Sequence, residues 1–154
     1  MKTALITGAS QGIGAAIADK LNDKKIKVIL VSRSKNKLKS FQKNLKFHKN
    51  SLIISKDLRS LSACNSIAKK IKKLDYLINV AGATKGGKFL NLNDNIWEDG
   101  FNLKFKAAVR LSRAFWPALK RSKGKVINIG GRAARNPSNT VSYTHLRAHE
   151  TCHN

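Results

Sequence analysis

The sequence predicts an α/β protein built around a parallel sheet. Short apolar runs alternate along the chain with segments whose apolar residues recur at three- and four-residue spacing, which is the pattern of strands alternating with amphipathic helices. The runs are rich in β-branched residues and poor in polar ones, as is typical of strands buried on both faces. Right-handed crossovers then arrange these units as a three-layer α-β-α fold with a doubly wound parallel sheet.

Apolar runs along the chain are expected to form about five strands, after which the sheet is cut short. The runs are Ala4–Thr7, Lys27–Val31, Leu52–Ile54, Tyr76–Val80 and Lys125–Ile129. Three helices are expected between the first four strands. Their predicted core-facing residues are Ile13, Ile17 and Leu21, then Leu38, Phe41 and Leu45, then Leu61, Cys64, Ala68 and Ile71.

A fourth, longer helix is predicted between the last two strands. Asn95 and Glu98 have the spacing of a capping box at its start, and Pro117 is expected to kink or end it. The residues expected to face the core from this helix are Phe101, Phe105, Ala108, Leu111 and Phe115.

Composition limits the functional classes that the chain can belong to. Its 154 residues, 42% of them hydrophobic, suffice for one domain with a core. The formal charge is +23, but the lysines are scattered along nearly every predicted element and aromatic residues make up only 6%. We therefore expect solvated helix faces and no specific nucleic-acid site. A basic nucleic-acid binder remains the alternative.

The sequence also bears on compartment. No run is long and apolar enough to cross a membrane, and Met1–Ile6 is interpreted as the first strand rather than a signal peptide, because it runs straight into a glycine turn. Cys64 and Cys152 have neither metal-binding nor redox spacing. These features predict a reducing compartment, the cytoplasm, with no membrane partner and no metal site.

The most informative segment is Thr7–Gly14, which reads TGASQGIG between a predicted strand and a predicted helix. Glycines at such a turn let the backbone approach a ligand closely, and the helix start offers unpaired N–H groups and a positive dipole end to a pyrophosphate. The segment predicts a bound dinucleotide, although a tight turn without a ligand is the alternative. The residues expected to contact the coenzyme are Gly8, Ser10, Gln11, Gly12, Ile13 and Gly14.

The end of the second strand favours NADP(H) over NAD(H). An acidic residue at this point would bind the adenosine ribose hydroxyls of NAD, but the sequence reads Val31-Ser32-Arg33-Ser34. Arg33 offers a planar fork that suits a 2′-phosphate, and the two flanking serines offer hydroxyl donors. The alternative is one more surface arginine in a basic chain.

Four motifs in this order resemble those of the short-chain dehydrogenase/reductase family over residues 1 to about 140. Thr7–Gly14 matches the family's TGxxxGxG turn, Asp57-Leu58 its adenine-contacting acidic position, and Asn79–Gly82 its NNAG motif with Val80 in place of the second Asn. Asn102 falls where the family keeps a catalytic Asn that orders a water. The resemblance implies a Rossmann fold with further coenzyme-site residues at Asp57, Leu58, Asn79, Ala81 and Gly82.

The resemblance also implies reversible hydride transfer between NAD(P)(H) and a small-molecule alcohol/carbonyl pair. The family's machinery is a Tyr acid/base, a Lys four residues later that lowers the Tyr pKa, and a Ser that positions the carbonyl. After the fifth strand, however, Gly130 and Gly131 stand where the Ser is expected. Tyr143 lies one residue short of the usual interval and is followed by Arg147 rather than Lys.

These departures predict a chain that carries the cofactor-binding part of an oxidoreductase and lacks most of its catalytic groups. The alternative is a non-catalytic dinucleotide-binding pseudoenzyme. In the family, the part beyond such a fragment covers one face of the sheet and supplies the oligomer interface. We therefore expect the parent protein to be a homo-oligomer, and the fragment to have an exposed apolar sheet edge.

The last residues differ in composition from the rest. Lysine is absent after Lys125, and Val141–Thr151 resembles the translated read-through of a sequencing adaptor. We therefore expect a coenzyme-binding domain at 1–140 and an atypical, non-native tail at 141–154. An alternative is a zinc site formed by the tail histidines at four-residue spacing, which are His145, His149 and His153.

Overall fold

Five parallel strands form one sheet, in the order β3-β2-β1-β4-β5, in a computed structural model that describes residues 1–82 and 91–131. The order reverses at β1, so the predicted doubly wound parallel sheet is confirmed. The carboxyl ends of β1 and β4 therefore flank a topological switch point, where ligands of such sheets bind. The strands are β1 (Thr3–Thr7), β2 (Lys27–Ser32), β3 (Ser51–Ser55), β4 (Tyr76–Asn79) and β5 (Lys125–Asn128).

Helices cover the two faces of the sheet. The first face carries α1 (Gly12–Asp23) and α2 (Lys35–Lys43), and the second carries α3 (Leu61–Lys70) and α5 (Ala107–Ser122). Helix α4 (Asp94–Phe101) continues into α5 through a π-helical turn, Asn102–Lys106, and a short 3₁₀ turn, His48–Asn50, precedes β3.

Two apolar clusters fill the space between the sheet and these helices. Alternate residues of β1 contribute to both, because Leu5 packs into the α3/α5 cluster whereas Ala4 and Ile6 pack into the α1/α2 cluster. All five residues of β1 are buried, as a central strand covered on both faces requires. This central position holds the end of β1 firmly where the glycine turn begins.

In two helices the first residue that was predicted to face the core is exposed instead, so that part of the prediction was wrong. In α1 the buried residues are Gly14, Ala18 and Asn22, and Ile13 is 61% exposed. At 3.6 residues per turn, Ile13 lies roughly 140° around the axis from the centre of that set. Leu61, 54% exposed, lies roughly 100° from the centre of the buried face of α3 for the same reason.

The segment before β5 differs from its prediction in three details. The cap of α4 is Asn93, whose side chain accepts from the Ile96 amide, and Asn95 lies inside the helix. Phe105 is 59% exposed, because it lies in the π-helical turn, which changes the residue spacing on which the predicted face depends. Helix α5 continues past Pro117 to Ser122, so of the two effects expected of this proline, the end of the helix does not occur, although an interior proline removes one helical hydrogen bond.

Strand β5 lies at one edge of the sheet, as the sequence predicts. Its Val126 packs against the α3/α5 cluster, but Ile127, which points to the other face, is 41% exposed. Among the described residues only one face of this strand is covered. Within the same residues, no helix has the length and hydropathy needed to cross a membrane.

Candidate functional site

A cleft of about 330 Å³ opens at the carboxyl ends of β1, β2 and β4, at the switch point of the sheet. Its volume lies in the range of small-molecule sites. Most of the residues that the sequence predicts to bind a coenzyme line it. They are Gly8, Ser10, Gln11, Gly12, Ile13, Gly14, Arg33, Leu58, Ala81 and Gly82.

The backbone of the first turn requires glycine at two positions. Gly8 has φ +67° and Gly12 has φ +59°, a region that residues with a Cβ rarely adopt. A Cβ on Gly8 would also lie 3.1 Å from the Cα and N atoms of Ala81. The turn therefore packs its bare backbone against the loop that follows β4.

Helix α1 begins in direct contact with this turn. A Cβ on Gly14 would lie 2.4 Å from the carbonyl oxygen of Gly8, so only glycine permits the helix to start there. No side chain caps the amino terminus of α1, and its first turn contains no acidic residue. The first N–H groups and the positive end of the helix dipole thus face the cleft, an arrangement that fits the pyrophosphate of a dinucleotide.

Thr7 joins the two loops that border the cleft. Its hydroxyl oxygen, in a side chain that is 1% exposed, accepts hydrogen bonds from the amides of Val80 and Ala81, both at 2.9 Å. The Val80 side chain packs against the α1/α2 cluster. The loop after β4 is therefore held through its backbone, although Val80 replaces the amide side chain of the family motif.

Arg33 follows β2 and reaches the cleft with an exposed side chain. The Ser55 hydroxyl donates to the Arg33 carbonyl at 2.7 Å, and the Ser32 hydroxyl donates to Ser10 Oγ at 2.9 Å. These bonds tie the end of β2 to β3 and to the glycine turn. No aspartate or glutamate is among the described residues that line the cleft, so its electrostatics favour an anion.

Only one of the two residues of the Asp57-Leu58 motif lines the cleft. Leu58 is 3% exposed and lines the cleft, whereas Asp57 does not line it. The Asp57 carboxylate accepts from the Arg59 amide at 3.0 Å and pairs with the Arg59 guanidinium at 3.3 Å. Arg59 also donates two hydrogen bonds to the carboxylate of Asp99 in α4, and these bonds raise the pKa of the guanidinium.

Asn79 lies in the sheet rather than in the cleft. Its side-chain amide donates to Asn128 Oδ1 at 2.9 Å and so links β4 to β5. Its own Oδ1 is buried and has no hydrogen-bond partner among the described residues. The Asn79 carbonyl accepts from the amide of Ile129 at 2.9 Å, which extends the strand pairing toward Gly130.

Asn102, the predicted catalytic residue, begins the π-helical turn between α4 and α5. Turns of this kind are often found at functional sites. Its side chain donates to Glu98 Oε1 at 3.0 Å and does not line the cleft, whereas the next residue, Leu103, does. Lys106, 2.7 Å from the same carboxylate, lowers the pKa of Glu98.

The other predicted groups lie outside the described residues. These are Tyr143, Arg147 and the whole of the tail, including its histidines. The described residues after β5 end with Gly130 and Gly131, neither of which carries a hydroxyl group. Among the described residues, a Cβ added at Gly130 would meet nothing within 4 Å.

Sequence reasoning missed several residues that line the cleft, namely Val31, Lys56, Val80 and Leu103, and mentioned Ser32 only as a possible donor. Of these, Lys56 had a usable signal. It comes directly after β3, and the carboxyl ends of neighbouring parallel strands meet at the same edge of a sheet. Leu103 had none, because its position depends on the π-helical turn.

Comparison with known proteins places the chain in a family. A family model described as short chain dehydrogenase matches residues 2–144. The 3-oxoacyl-acyl-carrier-protein reductase FabG of Rickettsia typhi is 36% identical over 129 residues, which make up 83% of this chain and 53% of that protein. The chain spans about half the length of the curated relatives it matches.

Solved structures agree with this assignment. A metagenomic short-chain oxidoreductase in complex with NADP has a TM-score of 0.86 and 32% identity, over 95% of this chain and 70% of that one. L-sorbose reductase from Gluconobacter frateurii, complexed with NADPH and L-sorbose, has a TM-score of 0.88 and 27% identity, over 96% of this chain and 59% of that one. The chain therefore belongs to the short chain dehydrogenase family.

Proposed function

We propose that this chain binds NADP(H), in preference to NAD(H), as the coenzyme-binding part of an oxidoreductase that interconverts an alcohol and a carbonyl compound. The observation that carries the proposal is the uncapped start of α1 against the bare backbone of Gly8. Exposed amides at that point bind the pyrophosphate without any side chain in between. Arg33 binds the 2′-phosphate through its planar fork.

Two related structures support the coenzyme preference. The metagenomic oxidoreductase holds NADP, and the sorbose reductase holds NADPH. When bound, the coenzyme supplies the hydride donor or acceptor. The chain would contribute the site that holds the coenzyme, with the Gly8–Gly14 turn to bind the phosphates and Ala81 and Gly82 bordering the same cleft.

The chain as given is proposed to transfer little or no hydride. A proton must pass to or from the substrate oxygen at a positioned acid/base group, and the described residues after β5 offer glycines where the family has a hydroxyl group. The same observation favours the second candidate function, a pseudoenzyme that binds the coenzyme without catalysis. We propose hydride transfer for the longer parent protein, on a small-molecule carbonyl or alcohol.

Calorimetric titration of the folded chain with NADPH and with NADH tests the binding proposal. We expect NADPH to bind at least tenfold more tightly, a difference of about 1.4 kcal/mol. Equal affinities would refute the preference, and the absence of heat with either coenzyme would refute the site. Incubation with NADPH and a panel of ketones tests the proposal that this chain transfers little or no hydride. Saturable oxidation of NADPH by the chain would contradict that proposal.

We also propose that residues 1–140 form the coenzyme-binding domain, that 141–154 do not belong to it, and that the protein is cytoplasmic. A variant ending at residue 140 is expected to keep the coenzyme affinity and melting temperature of the full chain. A loss of coenzyme affinity or of melting temperature would show that the tail contributes to the domain.

The proposed cytoplasmic location is tested by the localisation of a fluorescent fusion in the source cell.

The parent protein is proposed to be a homo-oligomer. Phe105, Val109 and Trp116 form an exposed apolar stripe along the α5 side, with exposures of 59%, 39% and 62%. Such a stripe marks an interaction surface. Light scattering on the chain and on a Trp116→Glu variant tests whether this stripe takes part in association. A wild-type chain that stays monomeric at high concentration would show that the stripe alone does not hold two copies together, and the parent's oligomeric state would then depend on the part that the family adds beyond β5.

A further inference from the structure

Two cationic side chains leave neighbouring strands at the same level of the sheet. Strands β2 and β3 pair in parallel, with Val31 opposite Ile54 and Ser32 opposite Ser55. The next residues along the two strands are Arg33 and Lys56. Strands in a sheet lie about 4.8 Å apart, so the backbones of these two residues are close neighbours.

Hydrogen bonds hold this arrangement beyond the last paired residues. The Lys56 amide donates to the Ser32 carbonyl at 3.1 Å, and the Ser55 hydroxyl donates to the Arg33 carbonyl at 2.7 Å. The two strands therefore stay in register for one more residue. Both side chains line the same cleft, as register partners on adjacent parallel strands point to the same side.

The two charges lack an obvious counterion within the protein. Among the described residues, neither Arg33 nor Lys56 forms an ion pair, and the adjacent carboxylate, Asp57, is paired with Arg59. Like charges held side by side repel each other. A doubly charged anion that contacts both would remove this repulsion and gain two charge-assisted hydrogen bonds.

We propose that Lys56 is a second specificity-determining residue, which acts with Arg33 to bind the 2′-phosphate of NADP(H). This inference rests on the proposed function. A phosphate monoester carries a charge of about −1.5 to −2 at neutral pH, which matches two cations better than one. The ribose hydroxyls of NAD(H) carry no charge, so Lys56 favours one coenzyme over the other.

The two cations have complementary geometries. The guanidinium of Arg33 binds two phosphate oxygens in a plane, whereas the ammonium of Lys56 is a compact charge on a flexible stem that reaches a third oxygen. Between the turn and the end of β2, Ser10 Oγ accepts from the Ser32 hydroxyl. The Ser10 hydroxyl hydrogen is therefore directed elsewhere and is suited to a phosphate oxygen.

The test is a calorimetric titration of the full chain with two probes that differ only in the 2′-phosphate, adenosine 2′,5′-bisphosphate and 5′-AMP. The variant is Lys56→Gln, which removes the charge and keeps a polar chain. The control is Lys49→Gln, which removes an equally exposed charge from the 3₁₀ turn before β3, outside the cleft. Thermal melts check that both variants remain folded.

We expect Lys56→Gln to raise the Kd of the bisphosphate about tenfold, the effect of losing one hydrogen bond to a charged group. The Kd of 5′-AMP is expected to stay within about twofold. Lys49→Gln should leave both values unchanged, and Lys56→Arg should retain the preference for the bisphosphate.

Other outcomes overturn the inference in distinguishable ways. If Lys56→Gln weakens both probes equally, Lys56 contacts the shared adenosine or 5′-phosphate and does not determine specificity. If it weakens neither, Lys56 does not contact the ligand. If the folded wild-type chain binds neither probe nor NADPH, the proposed function itself fails, and the inference falls with it.

Discussion

Strands β1 and β5 have similar apolar sequences but different environments. All five residues of β1 are buried between two helical layers, whereas among the described residues β5 is covered on one face and leaves Ile127 41% exposed. The cleft opens at the end of β1, and Tyr143, one of the two predicted catalytic residues, follows β5 in the sequence. Within the described residues, the strand that leads to the cleft is therefore packed more tightly than the strand at the edge.

The close packing around β1 matters for binding, because it holds the Gly8 turn in place. A turn whose backbone binds a ligand needs rigid neighbours, since small displacements of a binding group lose much of its effect. The Gly8 turn has such neighbours, in α1 on one side and in the Ala81 backbone on the other. Among the described residues, a Cβ on Gly130 would meet no atom within 4 Å, so we expect this position to tolerate a substitution that the first turn does not.

The largest expected contrast is between two isoleucines. Ile6→Ala removes a fully buried side chain from the α1/α2 cluster and is expected to lower the free energy of unfolding by about 2–5 kcal/mol. Ile127→Ala, on the open face of β5, is expected to cost less than about 1 kcal/mol. Urea denaturation measures both. Equal losses would mean that β5 is covered on both faces in solution.

A second pair compares glycines in the two regions. Gly14→Ala forces its new Cβ against the Gly8 carbonyl, and we expect a loss of about 1–3 kcal/mol in stability together with the loss of NADPH binding. Gly130→Ala, where a Cβ meets no atom within 4 Å, is the matched control and should change neither. Melting and titration of both variants measure this contrast. A Gly14→Ala variant with full NADPH affinity would contradict the role of the close approach.

A third substitution tests the bond that joins β1 to the loop after β4. Thr7→Val keeps the shape of the side chain but leaves the amides of Val80 and Ala81 without their acceptor. We expect a loss of about 1 kcal/mol, because both residues are partly exposed and water replaces some of the interaction. Thr7→Ser, which retains the hydroxyl, should lose less and keep NADPH affinity. Equal effects of the two variants would show that the methyl group matters instead.

The smallest effect is expected at Glu98, beside the π-helical turn. Lys106 lowers the pKa of this carboxyl below its ordinary value of 4.5, so the carboxylate stabilises the fold above that value, and its contribution is lost as pH falls through the lowered pKa. Glu98→Gln should therefore reduce the melting temperature slightly at neutral pH and not at all in strong acid. In a Lys106→Gln background, the change of this melting-temperature difference with pH should become smaller. A melting-temperature difference between wild type and Glu98→Gln that grows as the pH falls would contradict the stabilising role of the carboxylate.

The strands and the first turn could be predicted because their signals are local. The β-branched run at the second strand and the glycines at 8, 12 and 14 each have one physical interpretation in their context. The helix cap of α4 and the core-facing residues of the helices were predicted less accurately. Asn93 and Asn95 are both residue types that cap helices well, and in the structure Asn93 has the extended backbone of a cap and accepts from the Ile96 amide.

The missed features depend on long-range geometry. Asn79 has the motif of a coenzyme residue, yet it bonds to Asn128, 49 positions away in the chain. The exposure of Phe105 and the placement of Leu103 in the cleft follow from the path of α4 through a π-helical turn into α5. Lys56 reaches the cleft because β3 pairs in register with β2, and of the missed residues it alone had a sequence signal, its position directly after a strand.

We propose above that the amides at the start of α1 bind the phosphates of the coenzyme. Nuclear magnetic resonance of the nitrogen-labelled chain titrated with NADPH tests this contact at single amides. We expect the largest shifts at Gly12, Ile13 and Gly14 and negligible shifts at Lys27 and Lys125, which begin β2 and β5 at the far edge of the sheet. A folded chain whose Gly12–Gly14 amides do not move at saturating NADPH would contradict it.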